Sequence, residues 1–134
     1  MFQSILPTLL AHTPSGISTK QLFHFAQLVN GPYFRAFDNG PVLNFLDYGT
    51  TTPPNYNLRK VKIPTYLYTG LNDWLSDPDD VALLKMELGN FTSEYVVKYK
   101  MFNHLDFLFA TDAKKLLYDK LIQDMDNVVR ASQL

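Results

Sequence analysis

Two stretches, IPTYLYTGLNDW at residues 63–74 and YVVKYKMFNHLDF at residues 95–107, decide the fold of this chain. Each begins with β-branched and aromatic residues, which favour a strand, so strands are predicted at residues 63–68 and 95–101. Each stretch then reaches a polar segment and is followed by a helix-like segment. The order strand, helix, strand, helix predicts an α/β arrangement with parallel strands joined by a crossover helix.

The two helical segments are predicted at residues 78–88 and 112–126. The first has Asp77 as its N-cap and Pro78 at its first helical position, and Gly89 ends it. Apolar residues at helical spacing predict the buried row of each helix: Val81, Leu84 and Leu88 in the first, and Leu117, Leu121 and Met125 in the second, with Ile122 beside it. Since parallel sheets are buried on both faces, two strands cannot form an independent sheet. The order therefore predicts further strands, supplied upstream in the same protein or by a partner.

Residues 1–56 have a different pattern, with one clear helix. Ser18 is its candidate N-cap, and Gln21 follows at the capping-box spacing. Four apolar residues on one face and a turn signal complete this helix: Leu22, Phe25, Ala26 and Val29, then Asn30-Gly31-Pro32. Other segments are predicted to lack regular structure: a loop at 12–16, an irregular aromatic-rich stretch at 33–48 and a stiff extended connector at 50–54.

The composition is that of a globular protein, with 46% hydrophobic and 19% charged residues and a net charge of −1. Such apolar content argues against disorder, and the lack of a basic cluster argues against nucleic-acid binding. No apolar run reaches the length of a membrane span, and residues 1–7 lack signal-peptide features, so the signal of a secreted form would lie upstream. With no cysteine and no two histidines at ligand spacing, we expect no disulfide, metal or cofactor.

Asp73 and His104 are the candidate catalytic residues, because each follows a predicted strand. The carboxyl ends of neighbouring parallel strands meet at one edge of a sheet, where functional groups gather. There a carboxylate can accept the Nδ1–H of a histidine, which fixes the tautomer in which Nε2 takes a proton from a nucleophile. An acid followed by a histidine is also the chain order of α/β-hydrolases.

Structural roles are the alternative for both residues. An aspartate in a Gly-x-x-Asp turn commonly closes an Asx-turn, and a lone histidine after a strand is usually structural. Other acids are close in sequence. The start of a helix explains Asp77, Asp79 and Asp80, and Asp106 is interpreted as structural. His24, in mid-helix, is interpreted as packed or partly exposed.

The third member of a triad, a serine in a G-x-S-x-G turn, is absent from these 134 residues. Seven aromatics have two interpretations, an acyl pocket or simply core, of which core is the commoner: Phe34, Phe37, Phe45, Tyr48, Phe102, Phe107 and Phe109. Asn90-Phe91-Thr92 is an N-glycosylation acceptor, relevant only in a secreted protein.

Several blocks, in order, resemble the acid lipases, a family that includes gastric and lysosomal acid lipase. The most specific is Asn103-His104-Leu105-Asp106-Phe107. The others run along the chain: His12-x-Pro14-x-Gly16-x-Ser18 with Phe23-His24-Phe25, Phe34 to Gly40, Pro53-Pro54-x-Tyr56, Val61-x-Ile63-Pro64, Asp73-x-Leu75-x-Asp77-Pro78, and Asp112-Ala113 with Tyr118. The chain departs from the family's usual residues at Ser15 and at Gly70-Leu71-Asn72.

The resemblance implies an α/β-hydrolase fold of which this chain is the C-terminal part. Residues 1–56 would be the end of a mainly helical cap domain, and residues 57–134 the C-terminal part of the core. The implied function is hydrolysis of triacylglycerol or cholesteryl esters at a membrane or droplet surface by a secreted or lysosomal protein. Asp73 and His104 would be the acid and base, the serine would belong to the missing N-terminal portion, and the chain alone would be inactive. A non-catalytic fragment that acts as a binding or interaction module is the alternative.

Overall fold

The computed structural model describes residues 6–12, 16–31 and 33–133, and the chain divides into two compact units. The sheet unit comprises Met1–Ala11 with Arg59–Leu134, and the helical unit is His12–Leu58. The break between Leu58 and Arg59 lies close to the predicted boundary at residue 56, but the chain up to Ala11 groups with the sheet unit and not with the rest of the predicted first domain. The assignment of the first part to a cap stays a prediction. The predicted loop at residues 12–16 and the turn proline Pro32 lie largely outside the described residues.

The described elements follow in chain order. They are helix α1 (Leu6–His12), α2 (Thr19–Val29), α3 (Pro41–Tyr48), a 3₁₀ turn (Leu58–Lys60), strand β1 (Thr65–Thr69), α4 (Pro78–Glu87), β2 (Phe91–Val96), α5 (Asp106–Phe109), a π-helical turn (Lys114–Tyr118) and α6 (Asp119–Ala131). Within these residues no helix is long and apolar enough to cross a membrane.

Strands β1 and β2 pair in parallel, which confirms the predicted strand direction. Thr65 lies opposite Phe91, and after one irregularity the register continues to Thr69 opposite Val96. The prediction that the second strand runs over residues 95–101 is wrong, because β2 begins at Phe91 and ends at Val96. Val97 still donates its N–H to the Thr69 carbonyl at 2.8 Å, and the chain then turns. The helix between the strands and the parallel pairing give the α/β arrangement.

The core of the sheet unit forms around that turn. Val97, Phe102 and Leu117 are almost fully buried, and the Phe102 and Phe107 rings meet edge to face at 4.9 Å. Residues 98–101 between the two buried side chains are exposed. Burying Val97 and Phe102 together requires the chain to fold back, which explains why the strand stops early. Further side chains pack against this cluster: Tyr68, Tyr95, Phe107, Ala110, Leu116 and Tyr118.

Helix α4 matches its prediction. Asp77 Oδ1 accepts the Asp79 N–H at 2.8 Å, so Asp77 is a true N-cap. Val81 is buried and Leu84 and Leu88 are half-buried, as the apolar row requires.

The buried row predicted for the last helix is partly wrong. Leu117 is buried, but Ile122 and Met125 are exposed, and Asp124 lies buried on the inner face. The π-helical turn Lys114–Tyr118 bonds five residues apart instead of four, so it rotates the positions that follow it. Asp124 is tolerated inside because the Tyr68 hydroxyl donates to it at 2.8 Å and Lys120 forms an ion pair with it.

This carboxylate gives a pH-dependent stability prediction. The hydrogen bonds from Lys120 and then from Tyr68, opposed by burial, leave the pKa of Asp124 below its ordinary value of 3.8. A lowered folded-state pKa stabilises the fold above about pH 4, and that contribution is lost as the pH falls through the folded-state pKa. We expect Asp124→Asn to destabilise the complete protein in urea unfolding more at about pH 7 than at about pH 2. The matched change at exposed Asp126 should show no such difference, and equal losses at both pH values for Asp124→Asn would contradict the assignment.

The helical unit has polar contacts inside and apolar residues outside. Helix α2 is confirmed, but the Ser18 side chain makes no capping bond, and the predicted apolar face is exposed instead of buried. The inner face carries His24, whose Nε2 lies 2.9 Å from the Arg35 carbonyl, and Gln27, whose amide bonds both backbone groups of Asp38 at 2.9 Å. The packed interpretation of His24 agrees with this contact.

Helix α3 corrects the prediction that residues 33–48 are irregular. Gly40 precedes it at φ 85°, a conformation that favours glycine, and Pro41 occupies the first turn. Asn44 is completely buried. Its Oδ1 accepts from the Asn39 N–H at 2.9 Å, and its Nδ2 donates to Asp38 Oδ1 at 2.8 Å and to the Thr51 carbonyl at 3.1 Å. The bond that Asn44 Nδ2 donates, and then that of the Gly40 N–H, hold the pKa of the Asp38 carboxyl below its usual value.

Candidate active site

Asp73 lies in the turn that follows β1. The turn closes with the Asp73 N–H donating to the Gly70 carbonyl at 3.2 Å, and Asp73 Oδ1 accepts the Leu75 N–H at 2.9 Å. The side chain is 4% exposed. The Asx-turn therefore exists, as the structural alternative predicted, and it leaves the second carboxylate oxygen for another partner.

His104 lies in a turn between the buried Phe102 and the start of α5. Asn103 Oδ1 accepts the Leu105 N–H at 2.9 Å, and Asp106 Oδ2 accepts the Asn103 N–H at 2.9 Å. His104 thus occupies a segment whose backbone is bonded on both sides. Asp106 is buried, which agrees with its interpretation as structural.

The structure brings the two candidates together. His104 Nδ1 lies 3.0 Å from Asp73 Oδ2, and the side chains are 56% and 4% exposed. A buried carboxylate that accepts Nδ1–H holds the neutral ring in the tautomer whose Nε2 is a free base. Because more than half of the His104 side chain is exposed, the ring is open to a proton donor. The pair has the geometry of an oriented general base.

The two turns are held against each other by backbone contacts. The Asn72 N–H donates to the Phe102 carbonyl at 3.3 Å, and Asn72 Nδ2 donates to the Met101 carbonyl at 3.1 Å. Gly70 permits this approach, since a Cβ built there would lie 2.6 Å from the Phe102 carbonyl oxygen. The spacing between the acid and the histidine thus depends on a glycine at the end of β1.

Gly70→Ala should therefore destabilise the complete protein. The methyl group has to push back the Phe102 backbone, and such overpacking costs about 1–3 kcal/mol. Urea unfolding measures the loss. Gly16→Ala is the matched control, because no atom of the described residues lies within 4 Å of its added methyl group. Loss of chain entropy in the unfolded state makes that change neutral or stabilising by under about 1 kcal/mol. Equal stabilities for the two variants would argue against the close approach at Gly70.

The other candidate groups are not brought to this pair. Asp77 caps α4, and no serine of the described residues hydrogen-bonds to His104. Within the same residues, no three acidic or histidine side chains gather as a metal site would require. Asn90 donates its Nδ2 to the Lys62 carbonyl at 2.8 Å, and its glycosylation stays a prediction.

The seven aromatics do not share one environment. Phe102 is fully buried in the core, whereas Phe34 and Phe45 are exposed. A feature that was not predicted from the sequence is a set of exposed apolar side chains close to Asp73 and His104 in sequence. The set comprises Leu71, Trp74, Leu75, Leu105 and Leu108. Trp74, which directly follows Asp73, is 91% exposed. The signal was the concentration of Leu and Trp in turn segments, where polar residues are the norm.

The chain is similar in sequence to known lipases. The chain is 38% identical to Lipase 1 of Drosophila melanogaster over 97% of its length, and 40% identical to gastric triacylglycerol lipase of Rattus norvegicus over 87%. Human gastric triacylglycerol lipase is 38% identical over 89%. The chain spans about 30% of the length of these relatives, in their C-terminal part. No family model matches the chain. The resemblance drawn from the sequence is confirmed: the homologues of this chain are gastric lipases and related lipases.

Proposed function

We propose that this homologue of the C-terminal part of lipases supplies the acid and the base of a Ser-His-Asp triad that hydrolyses lipid esters. The observation that carries the proposal is the 3.0 Å contact between His104 Nδ1 and the buried Asp73 carboxylate. The nucleophilic serine and the backbone donors for the oxyanion would belong to a part of the protein outside these 134 residues.

The chemistry follows from that contact. His104 Nε2 removes the proton of the serine hydroxyl as its oxygen attacks the ester carbonyl, and Asp73 stabilises the imidazolium that forms. The imidazolium then protonates the leaving alcohol oxygen, and an acyl-enzyme remains. Water, deprotonated by the same nitrogen, attacks the acyl carbonyl. The imidazolium then returns the proton to the serine oxygen as the fatty acid is released. Both half-reactions use one exposed imidazole and one buried carboxylate.

The fold that we propose for the complete protein is an α/β-hydrolase. Residues 57–134 would form the C-terminal part of its core, and residues 1–56 the end of its cap. The parallel pairing of β1 with β2 and the location of Asp73 beyond the carboxyl end of β1 support the first assignment. The lipase homologues support the α/β-hydrolase fold.

The proposed substrates are neutral lipid esters, triacylglycerols or cholesteryl esters, presented at a droplet or membrane surface. The name of the gastric relatives, triacylglycerol lipase, supports this class. The same relatives support a secreted or lysosomal location. In such a compartment Asn90 would be accessible to glycosylation. The exposed Trp74 and its leucine neighbours would suit a site that meets an apolar substrate.

Ester turnover by two forms of the protein tests this function. The complete protein should release fatty acid from a triacylglycerol emulsion, and the 134-residue chain alone should release none. A complete protein that binds emulsified lipid without hydrolysing any ester would favour the non-catalytic interaction module. Turnover by the isolated chain would show that the nucleophile lies within it, against the proposal.

A further inference from the structure

Asp106 is a buried carboxylate that the proposed triad does not use. It lies two residues after His104 and is 7% exposed. Its Oδ2 accepts the Asn103 N–H at 2.9 Å, and its own N–H donates to the Asn103 carbonyl at 3.0 Å. Burying a carboxylate costs free energy unless it is hydrogen-bonded, so the contacts of Asp106 indicate a specific role.

Asn103 completes the arrangement from the other side of His104. Its Oδ1 accepts the Leu105 N–H at 2.9 Å and the Asp106 N–H at 3.3 Å. The side chains of residues 103 and 106 thus bond each other's backbone, as in a capping box. The two residues between them, one of which is His104, are enclosed in a closed ring of hydrogen bonds.

Because His104 is exposed, its position depends on this ring of hydrogen bonds. A side chain that is 56% exposed is not oriented by packing, so its direction depends on its backbone and on its bond to Asp73. Asp73 is itself fixed by the Leu75 N–H and by burial. A shift of the His104 backbone would therefore break the Nδ1 contact. The alternative, that Asp106 only starts a helix, is weaker because α5 is a single turn of four residues.

We propose that Asp106 is a positioning residue: its carboxylate, bonded to the Asn103 N–H, holds the backbone of His104 where the ring meets Asp73. The inference rests on the proposed function only in taking His104 as the base. The interaction needs an acceptor oxygen at residue 106 and not a negative charge. Asparagine can supply that oxygen, and alanine cannot.

The test compares Asp106→Ala, Asp106→Asn and the exposed control Asp126→Ala in the complete protein. Misplacement of a catalytic group by about 1 Å can cost about 100-fold, so Asp106→Ala should lower kcat by about 10–100-fold and leave KM nearly unchanged. Asp106→Asn should restore most of kcat, and Asp126→Ala should match the parent. Circular dichroism confirms that each protein is folded at the assay temperature.

Histidine ¹⁵N NMR supplies a readout that does not depend on turnover. The His104 signal, assigned by its loss in His104→Gln, should report the Nδ1–H tautomer in the parent and in Asp106→Asn. It should shift towards the Nε2–H tautomer in Asp106→Ala. Asn103→Ala removes the other half of the hydrogen-bond ring and should give the same tautomer shift. If Asp106→Ala does not fold, Asn103→Ala replaces it in the test.

Parent-like kcat and tautomer in folded Asp106→Ala would overturn the positioning role, as would an Asp106→Asn variant as impaired as Asp106→Ala. If His104 were not the base, His104→Gln would keep the ester turnover of the parent. The tautomer shift would still decide whether Asp106 positions the ring.

Discussion

His104→Ala in the complete protein should lower kcat for ester hydrolysis by about 10⁴–10⁶-fold, because the loss of a triad histidine disables both half-reactions. The Nε2 that takes the serine proton and later activates water is gone, and no other described side chain hydrogen-bonds to Asp73 Oδ2. KM should change little, since substrate binding does not use the imidazole. Fatty-acid release from a triacylglycerol emulsion, followed by titration, measures the loss.

His12→Ala is the control for that experiment. His12 is exposed at the end of α1 and has no role in the proposed chemistry. Its removal should leave kcat within about twofold, the range expected for surface substitutions remote from the chemistry. A His104→Ala protein that keeps more than a tenth of the parent activity would count against His104 as the base.

Asp73→Asn should lower kcat by about 10⁴-fold while leaving the fold intact. The amide oxygen can still accept the Leu75 N–H, so the turn after β1 is preserved. The amide NH₂, however, donates where the carboxylate oxygen accepted, and it therefore stabilises the wrong histidine tautomer. The new amide also cannot stabilise the imidazolium. Steady-state kinetics with a soluble p-nitrophenyl ester gives kcat, and urea unfolding verifies the fold.

Asp79→Asn is the matched control for the acid. Asp79 is exposed in the first turn of α4, six residues beyond Asp73. Its backbone N–H donates to the N-cap residue Asp77, and the substitution keeps this bond. Its kcat should equal that of the parent. If Asp73→Asn and Asp79→Asn had the same activity, the contact between Asp73 and His104 would be structural only.

The pairing of Asp73 with His104 was predictable in outline from chain order. A parallel strand pair connected by one helix brings the segments after both strands to the same edge. The position of His104 was predicted for a partly wrong reason, since β2 ends at Val96 and not at residue 101. What returns His104 to the edge is the turn that buries Val97 and Phe102 together. A pattern of alternating apolar residues carries no sign of that turn.

The faces of the helices were less predictable than their positions. The π-helical turn shifted the inner row of α6. Asp124 became acceptable inside through its ion pair with Lys120 and through Tyr68, whose strand is more than fifty residues away. In the helical unit, Asn44 is buried because backbone groups around Gly40 and Thr51 need partners. A hydrophobicity pattern cannot express that requirement.

The most direct measurement is the identity of the residue that a lipid-like fluorophosphonate labels in the complete protein. Mass spectrometry of the labelled peptides should find one modified serine, outside the 134 residues of this chain and within a G-x-S-x-G sequence. The labelling rate should collapse in His104→Ala and in Asp73→Asn. Labelling of a serine within this chain, or labelling that persists at the parent rate in both variants, would contradict the account.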